Sequence, residues 1–284
     1  MTLLRRISVA CVLCGALALI AGGAAGAYNL TYAGSADVQP RATAEARNEC
    51  PPGFGSPWGG FSSQFGVDGG AEPTAFRVRG RGWQVLVANT SDEPRGVRIE
   101  SYCDRPRRRR PVERSAAERL APGTSAVVTA RCRRGETLLA GGFRNSIDPR
   151  PGRHVVISGM RRVGVRNLRV TAVNLSLRES GRATAYAYCG HGRSTRVGRN
   201  TETVPPAASL RMVARCPERH RGEMSEVFFG FQASPANPQD GSVTTPAQFR
   251  HGAKGKVIVT AVNRSRTEPA TMTAFAYCLV PRFR

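Results

Sequence analysis

The side chains best placed to do chemistry in this sequence are its cysteines and its arginines. Six of the eight cysteines fall into three pairs, Cys50 with Cys103, Cys132 with Cys189 and Cys216 with Cys278. The opening cysteines recur 82 and 84 residues apart and the closing ones 86 and 89. Each closing cysteine follows a tyrosine, Tyr102, Tyr188 or Tyr277. An even number of cysteines behind an export signal reads as a disulfide framework. The repeat selects pairing within each copy. The competing choice, Cys103–Cys132 and Cys189–Cys216, leaves Cys50 to meet Cys278 and requires the two ends of the chain to be adjacent. Closing a loop of about fifty-five residues stabilises a copy by about 4 kcal/mol in the chain-entropy model.

Cysteine and histidine also ligate metals, and Cys189-Gly-His191 and Cys216-Pro-Glu-Arg-His220 bring the two types together. Zinc sites want cysteines two to four residues apart and histidines three to five apart, a spacing these segments lack. No metal or cofactor is expected. Nor is there a nucleophile elbow, a phosphate-binding glycine loop or a zincin helix, so no catalytic residue is assigned.

The arginines point to anions. The chain carries 42 basic residues against 20 acids, a net charge of +22, and only Lys254 and Lys256 are lysine. This usage matches a GC-rich coding sequence, so the distribution says more than the total. Residues 123–203 hold 15 cations against 4 acids, whereas residues 28–122 hold 14 against 11 and residues 204–284 hold 11 against 5. Arg107, Arg108, Arg109 and Arg110 stand between Pro106 and Pro111, as an exposed linker would. In the middle copy, Arg131, Arg133 and Arg134 surround Cys132, and Arg161, Arg162, Arg166 and Arg169 cluster further on. Such a set attracts phosphates, sulfates or carboxylates, or remains a solvated charged surface. Interleaved aromatics for base stacking are missing, so dedicated nucleic-acid binding is not expected.

Asn89-Thr-Ser91, Asn174-Leu-Ser176 and Asn263-Arg-Ser265 lie 14 or 15 residues before the closing cysteines. They suit glycosylation, as does Asn29-Leu-Thr31, but their matched location favours a hairpin turn in which Asn and Ser bond nearby backbone.

The elements that must hold these groups read as strands. Trp83–Asn89, Leu168–Asn174 and Val257–Asn263 alternate branched or aromatic residues, and the tracts ending at Cys189 and Cys278 do the same with Ala and Tyr or Phe. Gly59-Gly60-Phe61, Gly141-Gly142-Phe143 and Gly230-Phe231 close a second short run in each copy and read as turns, with an insertion before the third. The recurring aromatics Phe61, Trp83, Tyr102, Tyr188 and Tyr277 are expected in the core. No helical period stands out. The fold class expected is all-β, three tandem small β-sandwich-like domains with one internal disulfide each, following an N-terminal signal peptide.

Residues 1–27 form that signal: Arg5 and Arg6, an apolar stretch, then Ala25-Gly26-Ala27 before the expected cut. An uncleaved anchor is the competing reading, since 21 residues from Ile7 lack charge. Residues 28–42 read as a flexible lead-in, 43–116 as the first β repeat, 117–203 as the second and most basic, and 204–284 as the third.

Cys50-Pro51, Cys216-Pro217, the Gly-Gly-Phe runs and the Asn-x-Ser…Tyr-Cys endings resemble uncharacterised secreted tandem-repeat proteins of high-GC Gram-positive bacteria. The resemblance covers most of the mature chain; copy two departs from it at Arg133 and copy three at its insertion. It implies compartment and fold, and transfers no activity. The expectation is therefore a non-catalytic exported protein, envelope-associated or extracellular, whose basic middle domain adheres to anionic cell-wall polymer, polysaccharide or membrane surface. A secreted hydrolase of envelope polymers, or a structural spacer without ligand, are the alternatives.

Overall fold

The computed structural model describes residues 30–67, 69–104, 111–146, 155–191, 195–217, 227–234, 244–252 and 256–279. The expected signal peptide and Arg107 to Arg110 lie outside them. The described residues are all-β. Copy one supplies β1 (Leu30–Val38), β2 (Thr43–Arg47), β3 (Gly55–Ser63), the short β4 (Phe65–Gly66), β5 (Gly69–Arg79), β6 (Gly82–Asn89) and β7 (Arg95–Asp104). Copy two supplies β8 (Val112–Leu120), β9 (Ser125–Arg131), β10 (Glu136–Asn145), β11 (Val155–Val163), β12 (Asn167–Asn174) and β13 (Gly181–His191). Copy three supplies β14 (Thr195–Val204), β15 (Ala208–Arg215), β16 (Val227–Ala233), β17 (Thr244–Gly252), β18 (Lys256–Asn263) and β19 (Ala270–Leu279).

Alternation explains the central strands. On β12, Leu168, Val170 and Ala172 are fully buried while Arg169 faces water, the period-two pattern of a half-buried sheet. Two expectations need correction. The lead-in is not flexible: β1 pairs with β7 along its whole length. Likewise β8 pairs with β13 and β14 with β19, so copies two and three begin upstream of residues 117 and 204. These first strands are charged or small in composition, and Leu120 is the one buried residue of β8. Polar edge strands of this kind give little hydrophobic signal.

The three disulfide-tied units are woven together. Their strands form three antiparallel sheets, β1-β7-β3-β17-β18-β15, β2-β6-β5-β10-β13-β8 and β14-β19-β16-β11-β12-β9. Each sheet takes strands from two copies, and each copy contributes to two sheets. Seams at β5–β10, β11–β16 and β17–β3 close the three copies into a ring, each through only two residue pairs. One core runs through it: the Phe76 ring lies 5.3 Å from Phe61, 4.4 Å from Trp83, 6.5 Å from Phe143 and 5.6 Å from Phe229. Rings of all three copies thus meet at one residue.

The disulfides bolt the sheets to one another. Cys50–Cys103, Cys132–Cys189 and Cys216–Cys278 form, with Cα separations of 5.6, 5.6 and 5.9 Å. In every copy one cysteine follows the second strand and its partner sits in the last, which belongs to a different sheet. Three disulfides place the chain in an oxidising, extracellular environment. Among the described residues no helix is long and apolar enough to cross a membrane.

The Gly-Gly-Phe runs are not turns. They lie inside β3 and β10, and their phenylalanines stand at the seams, Phe61 opposite Phe249 and Phe143 opposite Phe76; in the third copy Phe231 stands opposite Met160. The glycine before the phenylalanine lets the neighbouring backbone pass. A methyl on Gly142 would strike the Phe76 carbonyl, and one on Gly230 would lie 2.7 Å from the Met160 carbonyl. The glycine before that makes room for an interior side chain, the Trp83 ring over Gly59 and Leu168 over Gly141.

Changing Gly142 to Ala is therefore expected to destabilise the protein by about 2–3 kcal/mol, the cost of overpacking against backbone that cannot yield. Gly66→Ala, where an added methyl meets nothing within 4 Å, should leave the denaturation midpoint unchanged. Urea unfolding of both variants checks the difference.

Candidate functional site

The polar positions singled out in the sequence resolve into two groups, those that hold the fold and those that face water. The Asn-x-Ser asparagines belong to the first. Asn174 Nδ2 donates to the carbonyls of Leu120, Ala121 and Glu179 at 3.3, 3.0 and 2.8 Å, and its Oδ1 accepts the Ser176 N–H at 3.0 Å. Asn89 does the same with Val38, Gln39, Glu93 and Ser91, and Asn263 with Val204, Pro205, Glu268 and Ser265. Each ties the end of its copy's first strand to the turn before its last. All three are at most 1 % exposed. A glycosylated amide would need the nitrogen these bonds occupy, so the turn reading holds for these three. Asn29 lies outside the described residues.

The tyrosines before the closing cysteines serve the seams. Beyond their two paired residues the β5–β10 and β11–β16 seams open, and a phenol from the neighbouring copy fills the gap. Tyr188 accepts the Val78 N–H at 2.8 Å, and Tyr277 accepts the Arg162 N–H at 2.9 Å. Tyr102 donates to Glu100 at 2.8 Å. Burial raises the Tyr188 phenol well above its ordinary pKa of 10. Burial likewise raises Tyr277, to about 12, offset in part by the Arg162 N–H and by the charges of Arg161 and Arg162.

Cys132, Cys189 and Glu136 come within 4.8 Å of one another, the one cluster of metal-ligand type among the described residues. Its sulfurs are joined to each other. Arg114 grips the Glu136 carboxylate with two bonds of 3.0 and 2.8 Å, and the Arg133 N–H adds a third at 2.7 Å. These bonds, that of Arg114 foremost, hold the carboxyl at about 2. The ligand-type atoms are thus already committed. The buried acid Glu72 faces Arg264 of copy three at 3.8 Å, and that guanidinium stands 5.7 Å over the Phe65 ring. Nearby, a cleft of about 450 Å³ is lined by Gln64, Phe65, Gly66, Arg95, Ala207 and Ser209 among others, none of them an acid or a histidine.

The arginines expected to meet anions gather on the outer face of copy two. Arg161 on β11 stands directly opposite Arg169 on β12. On the next strand, β9, Thr129 stands opposite Arg169 and Arg131 opposite Asn167. Arg166 and Arg133 lie at the same end, where the Cys132 N–H donates to the Arg166 carbonyl at 2.9 Å. Arg134 follows in the exposed turn. Among the described residues none of these six side chains forms an ion pair; Glu136, the nearby acid, is held by Arg114. Like charges placed directly opposite across a sheet repel, so the face carries uncompensated positive charge.

Arg162 is the exception. It is 8 % exposed and turned inward, so it does not belong to that outer face as the sequence suggested. A bulge between Ile157 and Gly159 is the reason, because one extra residue exchanges the inward and outward rows beyond it. Sequence reasoning missed a second opposed pair, Arg119 on β8 with Arg182 on β13. Only the strand register reveals it.

Fold and surface together define a disulfide-braced all-β protein with a strongly basic outer face. No protein-family model matches the chain, and no curated protein matches it.

The seam phenol gives a test in alkali. Tyr277 keeps its proton to about pH 12 in the folded state, whereas the unfolded chain loses it near 10. Between those values the unfolded state binds fewer protons, so stability falls as pH rises, by about 3 kcal/mol for this group. Denaturant titrations across this window should show a shallower decline for Tyr277→Phe than for the wild type. At neutral pH the variant should be less stable, since the Arg162 N–H loses its acceptor.

Proposed function

We propose that the protein is a non-catalytic exported protein that adheres to anionic polymer of the cell envelope or its surroundings through the outer face of copy two. The opposed pair Arg161–Arg169, with Arg131 on the adjoining strand and no ion pair to an acid among the described residues, carries this reading. Export is supported by the leader-like residues 1–27 and by three disulfides. Copy one, whose charges nearly balance, has no such excess. A sheet face presenting guanidinium groups on neighbouring strands suits an extended polymer whose charges repeat, because many weak contacts act together and release counterions on binding.

Retention of the oxidised protein on immobilised polyphosphate, heparin and purified cell wall, measured against salt, tests the proposal. The triple change Arg131→Gln, Arg161→Gln and Arg169→Gln should lower the elution salt and reduce the slope of log affinity on log salt by about 2–3, near one per lost contact. Elution of the unaltered protein below physiological ionic strength from every matrix overturns it.

A further inference from the structure

The register between β8 and β13 places Arg119 directly opposite Arg182. Residues so placed share one face of a sheet, with Cβ atoms about 5 Å apart. On β13 the neighbours Gly181 and Ala183 are buried while Arg182 is exposed, so the pair points outward. Like charges in this arrangement repel. Among the described residues neither guanidinium has an ion-pair partner.

The fold does not require this pair. Arg182 stands 7 residues before its closing cysteine, as Gly96 and Thr271 do in the other copies. Those two face Asp37 and Thr203 across the equivalent strand pairs. In every copy the backbone at this position is held by the residue that follows the third strand. The Arg182 N–H donates to Ser146 Oγ at 2.6 Å, and its carbonyl accepts the Ser146 N–H at 2.9 Å. Gly96 with Gln64, and Thr271 with Ser234, repeat both bonds. Structure is thus maintained by Ser146 and the main chain, and a neutral residue serves in place of Arg182 in both other copies.

The two arginines also share a cavity. A cleft of about 460 Å³ lies where β8 ends and β13 begins, lined by Glu118 and Arg119 on one side, Ser180 and Arg182 on the other, and Ser146. Its volume falls within the range of small-molecule sites, roughly 300–1,000 Å³. Two guanidinium forks suit the oxygens of an anionic group. Glu118 repels a bare anion, but its carboxylate accepts hydrogen bonds from hydroxyls, and the Ser180 hydroxyl donates or accepts them. Beyond the cleft Arg144 stands opposite Thr184, two residues along the same face from Arg182, so positive charge continues past it.

We infer that the Arg119–Arg182 cleft binds an acidic sugar, with its carboxylate or sulfate on the two guanidinium groups and its hydroxyls on Glu118 and Ser180. The cleft belongs to the sheet of β10, β13 and β8, whereas the basic face described above belongs to the sheet of β11, β12 and β9. It is therefore a second site, and does not rest on adhesion through that face.

The test titrates the full-length oxidised protein by calorimetry with trigalacturonate, sulfated lactose, maltotriose and inorganic phosphate at matched ionic strength. An acidic sugar should bind saturably, the tighter of the two naming the acid group, and maltotriose should not bind. Arg119→Gln and Arg182→Gln should each weaken that binding about tenfold or more. Each relieves a like-charge contact, so the melting temperature should stay level or rise. Glu118→Gln should weaken the sugar and tighten phosphate, a split that an anion site without hydroxyl contacts does not produce. The triple change Arg131→Gln, Arg161→Gln and Arg169→Gln should leave sugar binding whole. No saturable binding of either acidic sugar, or equal binding in the Arg119 and Arg182 variants, overturns the inference. So does a Glu118→Gln variant that binds sugar and phosphate alike more tightly. Salt-sensitive polymer retention that the triple change lowers, beside any of these results, leaves the adhesion reading standing while this site falls.

Discussion

The close backbone crossing at the seams is the contact on which the architecture depends. No copy completes a sheet alone; each offers two half-sheets whose inner strands stay open until a neighbour's strand arrives. An open strand edge is a liability in water, and the closed ring covers all six such edges at its three seams. The approach is tight enough that only glycine serves at Gly142 and Gly230, where a carbonyl of the neighbouring copy occupies the place of a side chain. Phenylalanine beside each glycine then fills the interior, and tyrosine from the last strand caps the amide left over as the strands part. Residues that looked like separate motifs along the chain serve this one crossing.

The disulfides complement the seams. Seams join copies within a sheet, whereas disulfides join sheets within a copy. The two kinds of link alternate around the ring, so separation anywhere must break either a covalent bond or the strand pairing of a seam. The asparagines finish each unit by satisfying carbonyls at the start of the chain's return, work that apolar residues cannot do.

Much of this could be read from residue types, and the failures are instructive. Regular recurrence made the sulfur pairing legible, and branched or aromatic residues at alternate places made β6, β12 and β18 legible. Gly-Gly-Phe misled because glycine pairs usually mark turns, whereas these lie mid-strand to admit a neighbour that no local pattern reveals. Strands β1, β8 and β14 went unrecognised because they lie at sheet edges and carry charged or small residues. Of the arginines, the outer cluster was legible as a cluster. The inward course of Arg162 was not, since a single bulge decides which of two adjacent residues faces the core. The acid near that cluster is tied up by Arg114 through a register that sequence does not state.

The ring also sets an order on its own assembly. Its seams join residues 67, 71 and 188 positions apart, from Phe76 to Phe143, Met160 to Phe231 and Phe61 to Phe249. As the polypeptide is made from its N-terminus, two junctions can knit soon after synthesis of their strands, but the last waits for nearly the whole molecule. Until then β3 remains a sticky, half-finished border, and contacts between such distant partners form slowly. Completion falls to the final strands, which makes the third copy the clasp of the fold.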